Sequence, residues 1–566
     1  MKITRRDAIK LGLISSGAFF LPLGSTRSVL AAPFSPRIAR FVEPLPIPPV
    51  LPPDYSDKTT DYYAIALKKA RISLVPGTTT EIWGYNGRLP GPTIRQRGGD
   101  EQEGGRQSVV RFINQLGEDQ SGGEINAVVH LHGMASLPQY DGFATDFIKP
   151  GQFKDYIYPN DRAATIWYHD HAIDHTARNV YQGLAGMYIV EDELERQLPL
   201  PKGPYDVPLI LRDAFFEVNP LNGEDLQLVF DDRQMRSTYG DVSLVNGIPW
   251  PKMQVERRKY RFRLLNASAS RSFQLALSQQ ENRLTVGETM VVIGSDGGLL
   301  ATPVELKTPY QTLRIDMAER YEIIIDFCRY EEGDCLFLKN IGFSGSIDID
   351  DRIHTLMCFE VVGGEVPDDS QIPETLRPVE RLPEKTADRT RTFRFERSFN
   401  RWLINGKQWD ENRVDANPGV GDIEIWEFFN PGSGWFHPVH VHLIDMQVLD
   451  RNGLPPRPYE MGWKDVFHVG EFQVVRVIGE FGPRRKGYKR RFIQGKFMMH
   501  CHNLVHEDHS MMTVFEVGQN GPSPKSAPAQ DIAQMSPFKV AYPTPPNPYD
   551  REAIEEFDRE LYGTGR

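Results

Sequence analysis

Most histidines of this 566-residue chain lie in a few short motifs. Ten of the 14 form four clusters, which are His130-Leu131-His132, His169-Asp170-His171, His437-Pro438-Val439-His440-Val441-His442, and His500-Cys501-His502 with His506. Imidazole and thiolate side chains are preferred ligands of copper, zinc and iron. The clustering therefore predicts that the chain binds metal ions.

The spacing within each His-x-His pair predicts how the metals are held. Residues two apart on a β-strand point to the same face, so each pair presents two imidazoles to one side. The four pairs together offer eight imidazoles, enough for three metal ions with room left for dioxygen. In His500-Cys501-His502 the thiolate faces away from the imidazoles. Cys501 is therefore expected to bind a separate metal, a short backbone path from the cluster.

A second kind of metal site is predicted by Cys501, His506 and Met511, which form a Cys-x4-His-x4-Met run. One thiolate, two imidazoles and a weak thioether are the ligands of a blue-copper site. His437 lies outside the alternating pairs and is the natural second imidazole. Zinc is the alternative metal. However, only Cys501 among the four cysteines has neighbouring histidines, and zinc has no redox chemistry with which to carry electrons.

The elements that must position these residues are predicted to be β-strands. Short runs rich in Val, Ile, Tyr, Phe and Thr alternate with Gly, Pro, Asn and Asp turns, and long amphipathic helical patterns are scarce. This pattern favours an all-β sandwich protein. The predicted strands include residues 108–113, 127–132, 260–265, 312–317, 321–327 and 423–429.

An internal repeat predicts three tandem β domains. The dipeptide Asn-Gly begins at Asn86, Asn246 and Asn405, at intervals of 160 and 159 residues. Each is followed by a predicted strand that ends in asparagine, at Asn114, Asn266 and Asn430. Asn-Gly alone is a common turn, but the regular spacing together with the trailing strand indicates homologous units.

Polar and proline-rich segments suggest where the domains begin and end. The expected division is a signal peptide at 1–32, a proline-rich extension at 33–61, domains at 62–200, 205–365 and 389–518, and a tail at 519–566. The end of the tail, residues 550–562, is compatible with one short acidic helix.

The N-terminus predicts export from the cytoplasm. Arg5-Arg6, an apolar run at residues 11–23 and Ala31-Ala32 have the order of a signal peptide, and the run is too short to span a bilayer. The paired arginines favour a twin-arginine signal, with the twin-arginine export machinery as a partner. An ordinary secretory signal is the alternative. Either route predicts a periplasmic or secreted protein.

Composition excludes some functions. The net charge of −11 excludes nucleic acid as a partner, because neutralising phosphates requires a basic surface. Four cysteines in so long an exported chain are not a disulfide framework. Cys328 and Cys335 flank a turn-like segment, so they form either a bridge across a hairpin or two unpaired buried thiols.

The histidine motifs resemble those of a known family. His130 to Gly133, Trp167 to His171, His437 to Leu443, and His500 to Met511 are similar to the four copper motifs of three-domain multicopper oxidases. Within that family the chain is most similar to bilirubin oxidases and bacterial spore-coat laccases, and the similarity extends through Pro150 to Tyr156 and Met317 to Tyr321. The resemblance implies three tandem cupredoxin-like domains, which are Greek-key β-sandwiches.

The resemblance also implies a role for each ligand residue in holding four copper ions. A type-1 copper would be held by His437, Cys501, His506 and Met511, a type-2 copper by His130 and His440, and a type-3 pair by His132, His169, His171, His442, His500 and His502. By the same resemblance, His506 would present its ring edge to the substrate pocket. Trp435 resembles a tryptophan beside the type-1 copper in bilirubin oxidases, with a core aromatic as the alternative role.

Two acidic residues match family positions used in proton delivery. Reducing dioxygen to water consumes four protons, so carboxylates near the cluster are expected to matter. Asp141 and Glu507 are the candidates, and exposed structural carboxylates are the alternative. His175, His354, His468 and His509 lie outside the motifs and are expected to be structural or at the surface.

The predicted function is a copper oxidase that passes electrons from a small donor to dioxygen. The leading hypothesis is one-electron oxidation of phenols or linear tetrapyrroles, coupled to four-electron reduction of dioxygen to water. A metal oxidase acting on Cu(I), Mn(II) or Fe(II) is the alternative enzyme, although no methionine-rich insert stands near the type-1 motifs. The other alternative, a non-catalytic exported scaffold, conflicts with the complete set of ligands.

Overall fold

β-strands dominate the computed structural model, which describes residues 34–99, 104–220, 222–231, 236–342, 353–482 and 493–538. The strands of the described chain form pairs of facing sheets in three successive regions, so the predicted all-β fold is confirmed. Each of the six predicted strands overlaps an observed one. The predicted signal peptide at 1–32 and the predicted acidic helix at 550–562 lie outside the described residues.

The first region contains two sheets. The six-stranded sheet has the order β1-β2-β5-β7-β34, with β3 added to β2, and the four-stranded sheet has the order β4-β9-β8-β6. Its strands are β1 Tyr55–Ser56, β2 Thr60–Ile72, β3 Thr80–Tyr85, β4 Ile94–Arg97, β5 Gln107–Asn114, β6 Val129–His132, β7 Gln152–Tyr158, β8 Ala164–Asp170 and β9 Ala185–Glu191. Two short helices follow β8 and β9, namely α1 Thr176–Gln182 and α2 Glu193–Gln197.

The second region contains a seven-stranded and a five-stranded sheet, with a small two-stranded ribbon. Its strands are β10 Asp206–Ala214, β11 Phe216–Val218, β12 Leu226–Leu228, β13 Val242–Val245, β14 Ile248–Pro249, β15 Lys252–Arg257, β16 Lys259–Asn266, β17 Phe273–Ser278, β18 Thr289–Ser295, β19 Gly298–Lys307, β20 Leu313–Ile315, β21 Arg320–Asp326, β22 Cys335–Asn340 and β23 Thr355–Glu365. The orders are β14-β13-β10-β16-β21-β18-β19, β15-β23-β22-β17-β20 and, for the ribbon, β11-β12.

The third region contains two five-stranded sheets. Its strands are β24 Arg389–Ser398, β25 Arg401–Ile404, β26 Val414–Ala416, β27 Ile423–Asn430, β28 His437–Val441, β29 Met446–Arg451, β30 Val466–Val469, β31 Gln473–Glu480, β32 Gly495–Cys501 and β33 Met512–Val517. They are followed by β34 Gln530–Asp531, which belongs to the six-stranded sheet of the first region. The orders are β25-β24-β27-β31-β29 and β26-β33-β32-β28-β30. A single short helix, α3 Leu504–Asp508, follows β32.

The Asn-Gly repeat marks the same turn in all three regions. Asn86, Asn246 and Asn405 have φ values of 54°, 49° and 53°, and each is followed by a glycine that also has positive φ. Each asparagine side-chain oxygen accepts a hydrogen bond from a backbone N–H, at Ala66, Ile210 and Arg394 respectively. Asparagine and glycine tolerate this left-handed backbone better than other residues.

The second asparagine of the repeat also has one recurring role. The side-chain amides of Asn114, Asn266 and Asn430 donate to backbone carbonyls, while their oxygens accept the backbone N–H two residues later. A parallel strand pair accompanies the repeat in each region, formed by β2 with β5, β10 with β16, and β24 with β27. The three regions are therefore copies of one β-sandwich, as the repeat predicts.

The segments predicted as an extension and a tail both pack against other domains. Leu45 joins the apolar core of the second region, and Val50 forms an isolated bridge with Thr93 of the first. At the other end, β34 pairs with β7, and Arg111 of β5 lies over the ring of Phe538. The described part of the tail therefore extends from the third domain and packs against the first.

The first and third domains also share one continuous apolar core, which contains Cys501 and Met511. All four cysteines are in the described part of the chain and none is in a disulfide. Cys328 and Cys335 are therefore unpaired, as one of the two alternatives predicts, but Cys328 is exposed and Cys335 only partly buried, so they are not two buried thiols. Within the described residues, no helix is long and apolar enough to span a membrane.

Candidate metal centre

Strand register aligns the histidine motifs within each domain. In the first domain β6 runs antiparallel to β8, and His130 lies directly opposite His169. In the third domain β28 runs antiparallel to β32, and His440 lies opposite His500. Packing of the first domain on the third then brings the two strand pairs together. His130 Nε2 is 3.4 Å from His440 Nε2, although 310 residues separate them.

Each His-x-His pair contributes to two different groups of imidazoles. His171, His442 and His500 converge through Nε2 atoms, with Nε2 to Nε2 distances of 3.2 Å from His500 to each of the other two. A separate group is formed by His132, His169 and His502, whose donor atoms lie within 4.8 Å of one another. His130 and His440 form a third group, beside His132.

The thiolate centre lies on the other face of β32. The Sγ atom of Cys501 is 3.4 Å from His437 Nδ1 and 3.6 Å from His506 Nδ1. Met511 is buried beside them, where its N–H donates to the carbonyl of His506 and its carbonyl accepts the N–H of Cys501. The turn from β32 through α3 therefore gathers Cys501, His506 and Met511 in one place.

The donor atoms of both centres fit metal ions. His132 Nδ1, His169 Nε2 and both ring nitrogens of His502 are buried without a hydrogen-bond partner, which is costly unless a ligand satisfies them. Burial lowers the pKa of His437 to about 3 and that of His171 to about 4, so both rings are neutral, the form that binds metals. Three groups of imidazoles and one thiolate with two imidazoles match the ligand preferences of copper.

Asp141 and Glu507 are both buried against the histidine cluster, so the alternative of exposed carboxylates is wrong. Asp141 Oδ2 lies 2.8 Å from His442 Nδ1, and the Asp141 carbonyl bonds to Nδ1 of His130. Glu507 lies 2.9 Å from His500 Nδ1 and 3.5 Å from His171 Nδ1. Asp141 therefore contacts two histidines, one through its carboxylate and one through its carbonyl, and the Glu507 carboxylate contacts two others.

Two residues that the sequence motifs do not mark as site residues also support the histidine cluster. The Asp465 carboxylate is 3.1 Å from His132 Nε2, and its carbonyl is 2.9 Å from His440 Nδ1. Arg320 of the second domain binds the same carboxylate with distances of 2.6 and 2.7 Å. The segment Met317 to Tyr321 is part of the family resemblance, but only the domain packing shows that Arg320 reaches the cluster through Asp465.

A cavity of about 530 Å³ lies beside the thiolate centre. His437 and the half-buried Trp435 are among the residues that line it, so Trp435 is more than a core aromatic. His506 is only 1% exposed, because the indole of Trp402 stacks on its ring at 3.7 Å. Among the described residues, His437 is the imidazole of this centre that lines this cavity, and the role of His506 at a substrate pocket stays a prediction.

Comparisons with known proteins agree with this geometry. Two family models described as multicopper oxidase match residues 66–195 and 381–521. The bilirubin oxidase of Albifimbria verrucaria is 40% identical over 505 residues, covering 86% of this chain and 82% of that protein. The chain is a multicopper oxidase.

Other members of the family are similar along most of their length. The laccase of Bacillus subtilis is 32% identical over 535 residues, covering 85% of this oxidase and 99% of the laccase. The crystal structure of the McoA multicopper oxidase of Aquifex aeolicus superposes with a TM-score of 0.72 at 29% identity, covering 85% of this chain and 100% of that one. The three sandwiches are therefore cupredoxin-like domains, as predicted. The protein is a copper-dependent oxidoreductase that uses four copper ions and dioxygen.

Proposed function

We propose that this multicopper oxidase oxidises phenolic or linear tetrapyrrole donors at the thiolate centre and reduces dioxygen to water at the histidine cluster. The single observation that carries the proposal is the position of Cys501, which is bonded through the backbone to His500 and His502 of the cluster. The backbone therefore joins the thiolate of Cys501 to both neighbouring groups of imidazoles. This covalent link provides a short path for electrons. The bilirubin oxidase and laccase relatives support this choice of donors.

We assign the ligands as the resemblance implies. The type-1 copper is assigned to His437, Cys501, His506 and Met511, the type-2 copper to His130 and His440, and the type-3 pair to the two groups of three imidazoles. Support comes from the grouping of donor atoms, in which His132 lies close to both the type-2 pair and one type-3 group. We also propose the domain boundaries 62–200, 205–365 and 389–518. Their support is the set of strands that each domain contains.

The copper ions, when bound, supply the one-electron oxidation of the donor and the four-electron reduction of dioxygen. The protein residues hold and orient the ligands. Asp465, held by Arg320, orients His132, and the Asp465 carbonyl orients His440. Such contacts fix the ring orientation of metal-bound histidines. Complete burial of the cluster histidines keeps bulk water out of the centre.

Asp141 and Glu507 are proposed to deliver the protons that water formation consumes. Their support is positional, because both carboxylates are buried, with that of Asp141 against His442 and that of Glu507 against His500 and His171. A carboxyl group held within hydrogen-bond reach of a reacting centre is well placed to donate a proton. Asp141 has the further feature that burial raises its pKa, which favours the protonated form.

Replacing Cys501 by serine tests the proposed electron path. Copper-loaded parent enzyme should carry four copper ions per chain and show an intense thiolate-to-copper absorption band. Cys501→Ser should lose the band, one copper ion and the oxidation of both phenols and bilirubin. Metal analysis, absorption spectra and oxygen uptake measure these three outcomes. A serine variant that remained blue would place the thiolate centre elsewhere.

We also propose export by the twin-arginine route to a periplasmic or secreted location, supported by Arg5, Arg6 and the apolar run that follows. Changing both arginines to lysine should leave the protein in the cytoplasm, because recognition of this signal depends on the pair. Cell fractionation with an activity assay measures the distribution. Normal export of the double variant would favour the ordinary secretory route.

A further inference from the structure

The cavity beside the thiolate centre has the size of a small-molecule site. Its volume of about 530 Å³ falls within the range of about 300–1,000 Å³ that is usual for ligand pockets. Trp435 and His437 form the wall nearest the thiolate centre, and the β24–β25 hairpin forms another part of the lining. An aromatic donor in this cavity is therefore next to a ligand of the type-1 site.

Arg397, at the end of β24, is an unusual part of this lining. Its guanidinium carbon lies 5.0 Å from the ring centre of Trp402 and 5.3 Å from that of Trp435. Its Nε–H is buried and has no hydrogen-bond partner. Among the residues that the structure describes, no carboxylate pairs with Arg397. Burial and a second cation, Arg236, lower the pKa of its guanidinium.

Arg394, the second arginine of the cavity, is paired with a carboxylate. Arg394 forms an ion pair of 2.9 Å with Glu396, and both residues line the same cavity. Arg394 and Glu396 therefore balance each other, while the charge of Arg397 is not compensated. A local positive charge is notable in a chain whose net charge is −11, because the rest of the protein repels anions over longer distances.

Aromatic surface completes the cavity. Phe399 lies at the turn between β24 and β25, where its side chain is 99% exposed and its backbone φ is 48°. A bulky residue in this left-handed conformation costs energy, and an exposed ring gains nothing from burial. Phe399 and Trp435 thus offer two ring surfaces to a ligand in the cavity.

We propose that this cavity selects aromatic electron donors that carry a carboxylate, with Arg397 binding the carboxylate and Trp435 contacting the ring. Arginine suits this task, because its planar group binds carboxylates through two parallel hydrogen bonds while stacking on aromatic rings. The inference rests on the proposed function and specifies the donor class. Arg397 is a specificity residue, and electron transfer itself does not require it.

The test compares two donors that share an oxidisable ring but differ in the charge of the side chain. A methoxyphenol with a propionate side chain and its methyl ester have the same oxidisable ring. The unaltered oxidase should prefer the acid by about fivefold in kcat/KM, a magnitude expected for one partly exposed ion pair. Arg397→Gln should abolish the preference through a higher KM for the acid, with kcat/KM for the ester changed by less than about twofold. Raising the salt concentration should weaken the preference of the unaltered enzyme.

Two further variants distinguish carboxylate binding by Arg397 from a general effect of positive charge. Arg401→Gln removes the same charge from the neighbouring cavity, and it should retain the preference for the acid. Arg397→Lys keeps the charge without the planar group, and it should retain part of the preference. The blue absorption band of each variant confirms that the thiolate centre is intact.

Several results would overturn the inference. An unchanged preference in Arg397→Gln, or an equal loss for acid and ester, excludes carboxylate binding by Arg397. An equal loss in Arg401→Gln indicates a general field effect instead. If the copper-loaded parent enzyme oxidises neither donor, the proposed function fails as well. Oxidation of both donors without any preference contradicts only the further inference.

Discussion

At the scale of single residues, the buried carboxylates are the groups whose role is easiest to isolate. Asp141 accepts from His442, and Glu507 lies against His500 and His171. Asparagine and glutamine keep the shape and the accepting oxygen of these side chains but cannot release and regain a proton. The two amide variants therefore separate proton delivery from support of the ligands.

Asp141→Asn and Glu507→Gln should each retain four copper ions and the blue band, while turnover at saturating donor falls by at least about tenfold. Reduction of the thiolate centre by donor without oxygen should proceed at the parent rate, because it precedes the oxygen chemistry. Stopped-flow absorption measures reduction of the thiolate centre by donor and its reoxidation by dioxygen separately. Slower anaerobic bleaching with normal reoxidation by dioxygen would assign the residue to the donor side instead.

At the scale of elements, the three Asn-Gly turns have equal backbone geometry but unequal surroundings. Gly247 and Gly406 have φ values of +87° and +72°. A Cβ atom at Gly247 would lie 2.3 Å from the carbonyl oxygen of Leu89, which belongs to the first domain, whereas a Cβ at Gly406 would meet nothing within 4 Å. The turn at Gly247 therefore forms part of a contact between domains, whereas the turn at Gly406 has space for a side chain.

Alanine at the two glycines should reveal this difference. Gly406→Ala bears only the left-handed backbone cost, about 1–2 kcal/mol. Gly247→Ala adds a clash with a backbone atom that cannot rotate away, for a total of about 2–5 kcal/mol. Scanning calorimetry of the two variants should give the lower unfolding midpoint for Gly247→Ala. Equal midpoints would mean that the contact with Leu89 opens without cost.

At the scale of the whole molecule, buried charges connect the first and second domains. Arg263 of β16 is fully buried and binds Asp206 and Glu322 of its own domain. It also binds Glu191 of β9 and Glu195 of α2, which belong to the first domain. Removing this cation leaves the four carboxylates with only Arg261 and Arg95 to compensate them, in a largely buried cluster.

Arg263→Ala should lower the free energy of unfolding by about 3–5 kcal/mol, the usual cost of leaving buried charge uncompensated. The control is Lys307→Ala, which removes a lysine from a pair with Glu305 in which both side chains are about half exposed. That change should cost less than about 1 kcal/mol. Calorimetric midpoints compare the two variants. Similar small shifts for both would show that the domain contact does not depend on the charge cluster.

Local sequence determined a large part of this protein. The alternating pairs such as His130 and His132, the Cys501-His506-Met511 run and the Asn-Gly turns are all short-range patterns. The two-residue period of a strand and the backbone preference of Asn and Gly act over a few residues. For that reason the histidine motifs, the strands and the threefold repeat were all recognisable without a structure.

Tertiary structure alone decided which of these residues meet. His130 lies beside His440 because the first and third domains share one core, and no local period links positions 310 residues apart. The same packing brings Arg320 and Asp465 to the cluster and Trp402 over His506. These contacts depend on how the three sandwiches pack against one another. Docking follows from the complementarity of whole surfaces, which a one-dimensional pattern does not contain.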